Sequence, residues 1–91
     1  MTREEEIIRA RYAQELLENP LFVEAFQAIG ADLQRAWIAS PPRDTEGREF
    51  IYLAQKALLQ LEGAFKEHVM TGKMARMQLM AESRENPNEL H

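Results

Sequence analysis

Ala36-Trp37-Ile38-Ala39-Ser40-Pro41-Pro42-Arg43-Asp44-Thr45-Glu46-Gly47-Arg48-Glu49 joins two long segments whose apolar residues recur at helical spacing. Ser40-Pro41-Pro42-Arg43-Asp44 reads as a short, stiff turn, because proline disfavours a helical residue before it and offers no backbone donor. Asp44 or Thr45 is placed to cap the helix that follows. The stretch therefore predicts an all-α chain built as a helical hairpin.

Working outward, Phe22, Phe26, Ile29, Leu33 and Trp37 precede the turn at spacings of 4, 3, 4 and 4. That periodicity predicts an amphipathic helix over about 20–39. Asn19-Pro20 supplies its start, with Asn19 as N-cap and Pro20 in the first turn. Gly30 inside it costs about 1 kcal/mol relative to Ala and suits a close helix crossing. Upstream, Thr2 and Glu5 make a capping box, and Glu4, Glu5 and Glu6 suit the positive end of a helix dipole. Ile8, Tyr12 and Leu16, with Ala13, give this first helix, about 3–18, its stripe.

After the turn two stripes run side by side. Phe50, Ala54, Ala57, Leu61, Ala64 and His68 are spaced 4, 3, 4, 3 and 4, while Ile51, Leu58 and Phe65 repeat every seven residues. One partner helix does not cover a face this wide, which predicts a third packed helix or a homo-oligomer. Thr71-Gly72 offers a helix end, yet Met70, Met74, Met77 and Ala81 continue the rhythm past it, so the third helix is expected to run on over about 45–82, with room for a kink at Gly72. The expected oligomer interface is Phe50, Ile51, Leu58, Leu61, Phe65, Met70, Met74 and Met77. The reading is one domain, 1–82, followed by a mobile tail over 83–91.

Composition restricts function. The 91 residues suit one small domain, a size at which disulfides, metals or partner chains commonly supplement the core. There is no Cys, and two His are too few for a closed zinc site. No cofactor or metal is expected. The net charge of −4 is unevenly placed: residues 1–20 carry three basic and five acidic groups, and 45–82 five of each. The charge does not support nucleic-acid binding by the monomer. Thr2-Arg3-Glu4-Glu5-Glu6 is no secretory signal, and no apolar run approaches the ~20 residues of a membrane span. A cytoplasmic, non-enzymatic protein with no membrane association is expected.

His68, the one internal His, is the candidate base for a hydroxyl at Thr2, Ser40, Thr45, Thr71 or Ser83, but its place on an apolar stripe suits helix packing better than catalysis. Thr71-Gly72-Lys73 lacks the strand and glycine-rich loop of a P-loop. Trp37 and Tyr52 are expected to pack across the turn. Tyr12, Arg43, Arg48 and Lys73 are the candidates for a partner or anion contact, since guanidinium groups fork onto phosphates and carboxylates.

Asn19-Pro20-Leu21-Phe22, Ala36-Trp37, Pro42-Arg43-Asp44-Thr45-Glu46-Gly47-Arg48-Glu49 and Thr71-Gly72-Lys73-Met74-Ala75 together resemble small all-helical proteins of tailed bacteriophages and prophages, over most of residues 10–80. The resemblance implies a bacterial host cytoplasm and an accessory role in head assembly or DNA packaging, similar to the ring-forming core of small terminase subunits, with a larger protein partner. The chain departs from that type in lacking an N-terminal helix-turn-helix. A second implied role is an anti-defence protein that sequesters a cyclic nucleotide. A structural helical dimer without ligand is the third reading.

Overall fold

A computed structural model describes residues 1–85, with the side chain of Glu85 excepted. The described chain is all-α: α1 spans Arg3–Glu18, α2 Pro20–Ala39 and α3 Thr45–Glu85. The expected tail beyond residue 85 lies outside the described residues, whereas Ser83 and Arg84 belong to α3.

Side chains start each helix. The Thr2 hydroxyl accepts from the Glu5 amide at 3.1 Å, but the Glu5 carboxylate meets the Thr2 hydroxyl at 3.3 Å rather than the Thr2 amide, so only half of the capping box forms. Asn19 is extended (φ −65°, ψ 124°), and its Oδ1 accepts from the amides of Leu21 at 2.9 Å and Phe22 at 3.2 Å. Pro20 fits the next position because its missing N–H would have no partner in the helix. Asp44 caps α3, its Oδ1 accepting from the Gly47 amide at 3.0 Å. Such caps satisfy donors that the first turn leaves unpaired, each stabilising by about 1 kcal/mol.

The chain forms two compact units. In the unit Glu18–Gly63, α2 turns Phe22, Phe26, Gly30, Leu33 and Trp37 inward, all half-buried, and the first part of α3 answers with Ile51, Ala54 and Leu58. Phe22 and Phe26 pack ring to ring at 5.3 Å, tilted by 36°. Gly30 is no tight crossing: a methyl group there would lie 3.8 Å from Leu58 Cδ2, an ordinary contact.

The other unit joins Met1–Leu17 to α3 from Ala64 onward. Here the close approach occurs at Gly72, where a Cβ would overlap that of Ala10 and sit 3.2 Å from the Glu6 carbonyl oxygen. Gly72 therefore neither ends nor caps the helix; it has no positive φ, and α3 continues through it. The contact also sets the phase of α1. Ala10 and Ala13 face α3, while Ile8 and Tyr12, expected on the packing stripe, are exposed, because bulkier side chains would hold the two backbones apart. Arg3 reaches Glu82 in an ion pair at the far end of the seam.

Gly72→Ala is expected to destabilise by ~1–3 kcal/mol, as overpacking against a rigid backbone does. Gly63→Ala, with nothing within 4 Å of the new methyl, should instead stabilise by up to ~1 kcal/mol through helix propensity. Urea unfolding followed by circular dichroism separates the two; equal effects would contradict the close approach.

Candidate functional site

The two stripes of α3 have different fates. The seven-residue series Ile51, Leu58, Phe65 is half-buried in the intrachain seams and continues as Gly72 and Leu79. In the unit Glu18–Gly63, the neighbouring row Phe50, Leu53, Ala57 and Leu61 is open, with Phe50 74% exposed. In the other unit Met70, Met74 and Met77 are open, and Met77 is 68% exposed. At 3.6 residues per turn, Met70, Met74, Met77 and Ala81 lie roughly half a turn around α3 from Val69, Gly72 and Leu79. The methionines thus form a second apolar stripe behind the seam with α1.

What lies inside is small. Among the described residues the buried ones are Ala13, Gly72 and Ala75, and none has a large side chain. Scattered exposed apolar residues are normal on any protein. Helically spaced ones, where no large side chain is buried among the described residues, are unusual.

At the turn, the Arg48 guanidinium lies 3.9 Å from the centre of the Trp37 ring and donates to Ser40 Oγ at 2.8 Å and Ser40 O at 3.3 Å. The Ser40 hydroxyl in turn donates to Trp37 O at 2.6 Å. Arg48, considered from sequence as an anion contact, is thus engaged within the chain and closes the turn. Trp37 meets this guanidinium, while Tyr52, its expected partner, is exposed with Lys56 Nζ 5.4 Å from its ring centre. Arg43 is exposed in the turn.

Two shallow grooves flank the seam of α1 with α3. One, about 190 Å³, is lined by Arg9, Tyr12, Ala13, Leu16, Phe65 and His68. The other, about 230 Å³, has Ala10, Val69 and Gly72 among apolar lining residues and Arg11, Glu15, Lys73 and Arg76 among charged ones. Tyr12 and Lys73 thus fall in different grooves of this unit, and Arg43 and Arg48 belong to the other unit. Arg11 escaped sequence reasoning, and the fold brings it to the same groove as Lys73 and Arg76. Arg76 follows Lys73 by three residues and so shares its face, a readable signal; Arg11 joins them only once the phase of α1 is known.

The Arg3 guanidinium is held above its usual pKa chiefly by its hydrogen bond to Glu82, aided by the charges of Glu82, Glu4 and Glu6. Arg is charged throughout the physiological range in any case, so this shift brings no pH dependence there. Among the described residues, no group of three or more His, Cys, Asp or Glu is placed to hold a metal ion, and no helix is long and apolar enough to cross a membrane.

No protein-family model, curated protein or solved structure matches the chain.

Arg48→Ala is expected to lower stability by ~1–2 kcal/mol, losing a partly buried cation–π contact and its hydrogen bonds. Arg43→Ala should stay within ~0.5 kcal/mol, as for other exposed residues. Thermal melts of both variants check the distinction, and equal melting temperatures would remove the structural role assigned to Arg48.

Proposed function

We propose that the chain is a non-enzymatic adaptor: a helical hairpin with an N-terminal packing helix that assembles with copies of itself and presents a surface to a larger protein. The observation that carries this reading is the disposition of apolar groups. Phe50, Leu53 and Leu61 in one unit and Met70, Met74 and Met77 in the other are open, while among the described residues the buried positions hold only Ala and Gly. With no Cys and no described metal cluster, burial against partner chains is the remaining common way to supplement so small a core. Ile51, Leu58 and Phe65 serve the chain's own seams in this reading, and the open rows serve assembly. The likeness of sequence to small phage proteins supports a place in head assembly or DNA packaging, in the cytoplasm of a bacterial host. The acidic balance supports a protein partner over direct contact with DNA.

Native mass spectrometry and sedimentation of the unmodified chain are expected to show an oligomer. Phe50→Lys combined with Leu53→Lys should reduce its mass while helix content is retained, because both side chains are exposed within the protomer. A wild-type monomer at micromolar concentration, or an unchanged mass in the double variant, would refute assembly through this row.

A further inference from the structure

We propose that the groove between α1 and α3 at Gly72 binds a small organic anion, with a phosphate or carboxylate head on Lys73 and Arg76 and an apolar body over Ala10, Val69 and Gly72. Its shape follows from the fold. Because Gly72 lacks a side chain and Ala10 has only a methyl, the helices approach closely, and their longer neighbours stand as walls around a low apolar floor. Its charge runs against the composition. In a chain with 15 acidic and 11 basic residues, three cations line this groove and Glu15 is the one acid among its lining residues.

The cations are not equivalent. The Arg11 guanidinium leans towards Tyr12, 5.6 Å from its ring centre, and stands at the rim. Lys73 and Arg76 are exposed, one helical turn apart on α3, and neither forms an ion pair within the described chain. Arg offers a planar fork that donates to two oxygens of one anion, and Lys a compact point charge beside it. The volume of about 230 Å³ lies below the roughly 300–1,000 Å³ of pockets that enclose drug-sized ligands, which points to a ligand of simple metabolite size. Glu15 disfavours an anion that fills the whole groove, and so places the head on the α3 side.

The probes are phenyl phosphate, benzoate and inorganic phosphate, added to the full chain and followed by amide shifts in nuclear magnetic resonance. Phenyl phosphate should give saturable shifts at Ala10, Val69 and Gly72. Inorganic phosphate should bind more weakly for want of an apolar body, and benzoate tells whether a carboxylate suffices. Lys73→Gln with Arg76→Gln should weaken binding by ~10-fold or more, the size expected for losing charged hydrogen bonds. The single variant Lys73→Gln, at an exposed position, keeps the test open should the pair perturb folding, and binding should weaken as salt rises. Three results would overturn the proposal: no saturable shift with phenyl phosphate or benzoate, unchanged affinity in both variants, or binding of hexaglutamate peptide without either small probe. The oligomer mass, measured separately, tests the adaptor reading independently of this groove.

Discussion

The approach of α1 to α3 at Gly72 governs the unit it belongs to. Two helices come this close only where neither carries bulk, and Ala10, Ala13, Gly72 and Ala75 meet that condition. The contact stabilises through dispersion between closely matched backbones more than through removal of apolar area from water. Burial follows roughly 0.8 kcal/mol per CH₂, and a seam of Ala and Gly has few to bury. The large apolar side chains must therefore go elsewhere. In this unit Phe65, Val69 and Leu79 stay half-buried while Met70, Met74 and Met77 stand open, so the close packing of the seam and the exposure of the methionines are two sides of one choice.

Some of this was readable from residues alone. Asn19-Pro20 and Asp44 announced helix starts, because their side-chain oxygens sit where the unpaired amides of a first turn require an acceptor. The two stripes on α3 were equally visible, since helical spacing reports faces directly. Spacing does not report which face meets the chain's own helices. The packed one proved to be the series Ile51, Leu58 and Phe65, whose next member is Gly72, a residue any hydropathy reading discounts. The same blindness to small residues moved the crossing point: Gly30 looked like it, whereas the close approach falls at Gly72, inside a third helix that runs on as its periodicity predicted. In α1, Ile8 and Tyr12 offered the larger side chains for a packing stripe, yet geometry favours the smaller Ala10.

The charged groups show a similar division between those settled locally and those that needed the fold. Arg48 lies eight residues beyond Ser40, and the turn brings them together, so its donors are engaged within the chain. Arg43, five residues earlier, has no such geometry and remains in solvent. Lys73 drew notice as a candidate anion contact beside Tyr12, Arg43 and Arg48. Its significance changes once Arg76 and Arg11 are placed around the same floor, because the groove exists only when two helices distant in sequence lie side by side.

The stacking of Arg48 on Trp37 also determines what light can report. The chain has one tryptophan, and it lies in the unit Glu18–Gly63, against a guanidinium at the turn. Its emission follows the loosening of α2 from the first part of α3. The separation of α1 from the end of α3 has no indole beside it and passes unseen in that signal, with Tyr12 the one phenol on that side. Intrinsic fluorescence of this protein is therefore a spectrum of half the molecule, and a midpoint taken from it describes the turn rather than the seam at Gly72.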